Sequence, residues 1–251
     1  MIRVAIRGPR VLPRFRKRQG TNRHADAAAV LPQLNLMEET VKTKTVAAFA
    51  AAIAMAGLYG FVSPAFAQTI IDEWANVPRP PAPELKSVQV DTKTTALLML
   101  DFMNRNCGKR PSCLASIPAV KKLLEQARAK KMAVVYTLIS KTTTADVISD
   151  VAPVAGEPWV LSGPDKFVRT DLEKILKDRG IKTVIAVGTS ANGAVLYTAS
   201  GAAFRGMNVI VPVDGMSSST KYADLATAAV LTSAPTVSAR VTLTRIDMIT
   251  F

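Results

Sequence analysis

At 251 residues the chain is long enough for one sizeable α/β domain, and its formal charge of +13 is unevenly spread. Residues 1–36 hold eight Lys/Arg against one acid, Asp26, and residues 37–67 balance, so residues 68–251 carry only +6. That excess, without interleaved basic and aromatic residues, argues against nucleic acid as a partner. The single histidine, His24, lies in the basic arm, so the remainder can hold no Ser-His-Asp triad, Cys-His pair or histidine-ligated metal.

The N-terminal third reads as processing sequence. From Met37 come Lys42 and Lys44, an apolar run over about 46–62, then Ser63-Pro64-Ala65-Phe66-Ala67. This matches the charged, apolar and small-residue regions of a secretory signal peptide over 37–67, with cleavage after Ala67. The run is at the short limit for a membrane span, so no membrane association is expected after cleavage. The expected location is periplasmic or secreted. The basic arm 1–36 reads as a mis-assigned start, translation beginning at Met37; the alternative is a basic segment for nucleic acid or anionic lipid.

Residues 68–93 form a lead with prolines at 78, 80, 81 and 83, which forbid a helix and predict an extended arm. Residues 94–251 alternate strand and helix. Residues 96–101 make an all-apolar strand ending in Asp101, and 117–131 an amphipathic helix with Val120, Leu123, Leu124 and Ala127 on one face. A buried strand follows over 133–139, then a looser stretch, 140–166, long enough to be a binding loop or lid. Next come a helix over 170–179 ending at Gly180, a strand over 183–187, a turn at Gly188 and a helix over 191–204. A strand over 208–213, a helix over about 222–231 and a strand over 241–244 complete the chain. The pattern predicts a single doubly wound, Rossmann-like α/β domain, its sheet mostly parallel with helices on both faces.

Cys107 and Cys113, six positions apart around Gly108 and Pro111, read as a small disulfide loop in an exported protein; a reactive Cys107 is the alternative. In open α/β sheets ligands bind beyond the carboxyl ends of the strands, which draws attention to Asp101 and to the Gly188 turn. Asp101 follows five apolar residues, and burial there would raise its pKa unless a cation answers it. Catalysis and a strand-end Asx turn both remain open. Asp214-Gly215 reads as a turn. The Gly188 turn lacks both a G-x-G-x-x-G motif and a P-loop, so no nucleotide or other cofactor is expected. It does offer Ser190, Ala191, Gly193 and Ala194 as an oxyanion or substrate-binding turn, tight helix-on-sheet packing being the alternative.

Leu-Leu-Met-Leu-Asp101-Phe-Met-Asn104, then Val-Gly188-Thr-Ser-Ala191-Asn-Gly-Ala194, then Ala203-Phe-Arg-Gly206 through Asp214, together resemble the isochorismatase-like (cysteine hydrolase) superfamily. The resemblance spans about residues 94–219. It implies a catalytic set of Asp, Lys and Cys, with Asp101 in the first position. The Cys position falls on Ala194, which cannot attack a carbonyl. Members that hydrolyse isochorismate also carry a small residue there, and the resemblance implies that their Asp protonates a vinyl ether carbon. Lys166 is the nearest substitute for the family lysine; the alternative is a surface lysine paired with Asp165. The family also implies a homo-oligomer. Three functions follow: a cysteine-independent hydrolase of a small polar molecule, with Asp101 held by Lys166 as general acid/base; an amide or ester hydrolase using Ser190 or Thr189; and a catalytically inactive small-molecule-binding relative.

Overall fold

The computed structural model describes residues 69–251. The basic arm, His24 and the signal peptide with its cleavage site lie outside the described residues. A helical turn at Ile70–Glu73 stands where an uninterrupted extended lead was expected, because the prolines begin only at Pro78. The lead then runs to a two-residue strand, β1 (Val88–Gln89), paired in parallel with β9 (Ile249–Thr250).

The core sheet is built from β2 (Thr95–Leu100), β3 (Ala133–Leu138), β4 (Trp159–Leu161), β5 (Thr183–Thr189), β6 (Asn208–Pro212) and β8 (Val241–Thr244), in the order β4-β3-β2-β5-β6-β8. Every pairing in it is parallel. A short strand, β7 (Met216–Ser217), adds to β5. The chain moves outward from β2 to β3 and β4, then returns to the other side of β2 as β5. The switch point therefore lies between β2 and β5, where a doubly wound sheet opens a crevice at its carboxyl edge.

The alternation along β2 sorts its side chains between two cores. Ala96, Leu98 and Leu100 face one layer, packed with α2 (Leu172–Asp178), α3 (Leu196–Phe204) and α4 (Lys221–Ser233). Leu97 and Met99 face the other, packed with α1 (Pro111–Ala129) and with Val90 and Ile249 near the small β1-β9 sheet. All six residues of β2 are buried, as a strand covered on both faces requires.

Several boundaries differ from expectation for identifiable reasons. Helix α1 begins six residues early, because Pro111 occupies its first turn, where a missing N–H costs nothing. The expected helix over 191–204 opens as a π-helical turn, Ala191–Val195, before continuing as α3. The stretch 140–166 holds two 3-10 turns, Thr144–Asp146 and Ser149–Val151, and edge strand β4. Asp214 does sit in a turn, where its Oδ1 accepts from the Ile246 N–H at 3.0 Å.

Candidate active site

Asp101 is the first residue beyond β2. Its φ of 56° turns the chain sharply out of the strand, a left-handed conformation that Asp tolerates better than branched residues do. The residue is buried, with 5% of its surface exposed. Its Oδ1 accepts from the Thr137 hydroxyl at 2.9 Å, and its Oδ2 accepts from Lys166 Nζ at 2.5 Å. Lys166, fully buried, also donates to the Gly163 carbonyl at 2.8 Å.

Lys166 is thus not the surface partner of Asp165. The Asp165 carboxylate accepts instead from the Phe167 N–H at 2.9 Å, shaping the turn that directs Lys166 inward. Phe167 anchors that turn: its ring is buried, and the Arg205 guanidinium lies over it at 4.4 Å. Gly201 of α3 permits the approach, since a Cβ there would stand 3.1 Å from the Phe167 ring.

Burial pushes the Asp101 carboxyl above the usual carboxylate range, while the Lys166 charge and the hydrogen bonds from Lys166 and Thr137 pull the other way. The result is a carboxyl that holds its proton more firmly than an exposed one, with an ammonium ready to stabilise the anion once the proton leaves.

A cavity of about 290 Å³ opens beside this pair, lined among others by Asp101, Asn106, Arg110, Ser162, Gly163 and Tyr197. Ser190, Gly193 and Ala194 line it too, so three of the four expected turn residues meet Asp101 across one space. Ala191 does not join them; it is fully buried in the helix-facing core. The turn's N–H groups are also partly committed, Gly193 to the Ser190 carbonyl at 3.1 Å and Asn192 to the Ser218 hydroxyl at 3.4 Å. A wider groove of about 740 Å³, sharing Ser162, Gly163, Pro164 and Tyr197 with the cavity, continues over Leu161 and Val168.

Cys107 and Cys113 form a disulfide with a Cα–Cα distance of 5.3 Å. Midway between them stands Arg110, whose Nη1 donates to Thr189 Oγ1 at 2.8 Å; that hydroxyl donates on to the Ser217 carbonyl at 3.2 Å. Sequence reasoning passed over Arg110, Asn106, Thr137, Ser162 and Tyr197. Arg110 shows in the sequence only as a cation inside the Cys107–Cys113 loop, and its partner Thr189, 79 residues on, leaves no local signal.

A parallel, doubly wound sheet with a buried Asp-Lys pair at its switch point places the protein in the Rossmann-like α/β class. A family model described as the isochorismatase domain matches residues 95–242, and the chain belongs to that family. Among solved structures it is similar to an isochorismatase-like hydrolase from Alkaliphilus metalliredigens, with 24% identity over 62% of this chain and 96% of that one and a TM-score of 0.56. It is likewise similar to N-carbamoylsarcosine amidase from Thermoplasma acidophilum (24%, 61% and 97%, TM-score 0.54) and to a nicotinamidase from Staphylococcus aureus (17%, 57% and 94%, TM-score 0.52). No curated protein sequence matches the chain. The structural likenesses establish the shared fold.

Proposed function

We propose that the protein is an exported hydrolase of a small polar molecule in which Asp101 acts as general acid/base and no cysteine nucleophile takes part. The observation that carries this reading is the buried Asp101-Lys166 pair beside a cavity that Ala194, offering only a methyl group, also lines. For a vinyl ether, the protonated Asp101 would deliver its proton to the alkene carbon. The resulting oxocarbenium ion takes up water, the water's surplus proton returns to the Asp101 carboxylate, and the hemiketal collapses to alcohol and ketone. Lys166 stabilises the carboxylate formed in the first step, at the place where negative charge develops.

Ser190 also lines the cavity, but residues 69–251 contain no histidine to activate it. Export is supported by the signal-like segment 37–67 and by the disulfide, which an oxidising compartment favours.

The deciding experiment is turnover of a panel of vinyl ethers, amides and esters by the wild type and by Asp101→Asn. The reading expects a substrate among the vinyl ethers and a loss of about 10²–10⁴-fold in the variant. Full turnover in the variant would sink it. Ligand-induced stabilisation without turnover of any panel member would point instead to a binding relative. N-terminal sequencing of the exported protein is expected to begin at Gln68.

A further inference from the structure

We infer that Arg110 is the anion-binding residue of the cavity and that the substrate carries a carboxylate; this rests on the cavity being the substrate site.

The placement of Arg110 works against the fold. It is the residue that caps the N-terminus of α1, yet makes no side-chain capping bond there. Helix caps favour Ser, Thr, Asp or Asn, and the N-terminal end of a 19-residue helix repels a cation through its dipole. A residue that breaks a local rule without a local gain marks a functional position.

The surroundings agree. Arginine presents five N–H donors, but among the described residues its one side-chain hydrogen bond goes to the neutral hydroxyl of Thr189. No ion pair among the described residues involves it. Asp101, the carboxyl group lining the cavity, is already engaged by Lys166 and Thr137, so the Arg110 guanidinium has no counter-charge on the cavity wall. A monoanion neutralises it. The planar guanidinium fork suits a carboxylate, which it can grip through two parallel bonds.

The loop and β5 together hold this cation in place. The disulfide closes it on the backbone, Cys107 and Cys113 being fully buried, and Thr189 fixes the guanidinium from β5. Asn106, on the same loop, lines the cavity beside it. The bound carboxylate would lie between β2 and β5, with its remaining atoms directed toward Asp101.

The test is calorimetric titration of the full-length protein with benzoate, its neutral isostere benzamide, and phenyl phosphate, in wild type, Arg110→Met and Arg110→Lys. Wild type is expected to bind benzoate more tightly than benzamide or phenyl phosphate, with an affinity that falls as salt rises. Arg110→Met is expected to lose at least tenfold in benzoate affinity along with the salt dependence, and to lose much less in benzamide affinity. Arg110→Lys is expected to fall between them. Equal benzoate affinity in wild type and Arg110→Met, no preference for benzoate over benzamide, or no binding of either overturns the inference; tighter phenyl phosphate binding lost in Arg110→Met overturns the choice of carboxylate. These readouts need no turnover, so an Asp101→Asn variant that keeps full activity would sink the acid/base reading while leaving the Arg110 result to stand or fall separately.

Discussion

Lys166 Nζ lies 2.5 Å from Asp101 Oδ2, and the two come from loops 65 residues apart. Neither has bulk water to fall back on, the lysine side chain being 0% exposed and the aspartate 7%. The pair is therefore a mutual requirement: each residue makes the other's burial tolerable.

Removing one partner should cost much more than removing both. Asp101→Asn leaves an ammonium without its counter-ion and is expected to destabilise by about 3–5 kcal/mol. Lys166→Met leaves a buried carboxyl that can escape by staying protonated, and should cost less. The double variant is expected to recover stability relative to Asp101→Asn. Urea unfolding of the four proteins measures the coupling; additive effects would mean that the two side chains do not share a desolvated pair.

The raised Asp101 pKa also fixes the sign of a pH effect. Burial, the largest cause, outweighs the Lys166 charge and the hydrogen bonds from Lys166 and Thr137. The folded protein thus holds this proton more tightly than the unfolded chain does. Its contribution to stability is fully present below the unfolded carboxyl pKa and declines as pH rises through the higher folded value. Melting temperatures across that window should fall more steeply in wild type than in Asp101→Asn, and parallel curves would contradict the assignment. If the protonated acid is the working form, kcat/KM should decline over the same window.

What was legible in the sequence follows from how local each signal is. Asp101 announced itself because five apolar residues forced it to a buried strand end, whereas Lys166 came only through the family resemblance, as the nearest substitute for its lysine, with a surface pairing to Asp165 left open. The parallel sheet was legible from its apolar strands, since burial on both faces leaves no polar alternation to confuse the pattern. Edge strand β4 was hidden: only three residues long, with Trp159 and Leu161 exposed, it sits inside a stretch rich in Pro and Gly. Arg110 was hidden for a different reason. Its role depends on Thr189, 79 residues away, and no spacing within the disulfide loop encodes that contact. Ala191 could not be told from its neighbours in sequence, because the N–H groups of a helix start look equivalent there, whereas in the structure the π-helical turn buries that residue away from the cavity.

The disulfide should contribute measurably despite its short span. Closing a loop with a sequence separation of 6 restricts the unfolded chain by about 2 kcal/mol on the chain-entropy argument, or about 4–8 °C in Tm for a domain of this size. The paired Cys107→Ala, Cys113→Ala variant is expected to melt lower by that amount and to bind benzoate more weakly, because Arg110 loses its frame. An unchanged Tm with unchanged affinity would show that the loop is held by its other contacts alone.

Gly188 is where the two halves of the site are pressed together. It pairs with Leu100, the residue before Asp101, in the β2-β5 register. A Cβ at this position would overlap the Leu100 carbonyl oxygen and stand 2.6 Å from Leu100 Cβ, and the glycine's φ of 151° already disfavours a side chain. Neither obstacle is the flexible end of a side chain, so relief requires moving a central strand. Gly188→Ala is expected to lose several kcal/mol, on the scale of severe core overpacking, and to disturb Asp101 before more distant parts of the sheet. A variant with native Tm and native affinity would mean that β2 yields easily at its carboxyl end.

Ala194 permits a clean chemical test of the cavity wall. The sequence has only two cysteines, and both are in the disulfide, so Ala194→Cys introduces the sole free thiol. Ala194 is 4% exposed but lines the same cavity as Asp101. The new thiol should therefore react with iodoacetamide to a single adduct, more slowly than a surface cysteine. The rate should rise with pH toward the ordinary thiol pKa of about 8.5, and shift from that value if Asp101 or Arg110 acts on the thiolate: the carboxylate would raise it, the guanidinium lower it. Benzoate seated at Arg110 should protect the thiol, and protection should disappear when Arg110→Met is added. Labelling that benzoate leaves unaffected would separate the turn from the anion site, even though both border one cavity.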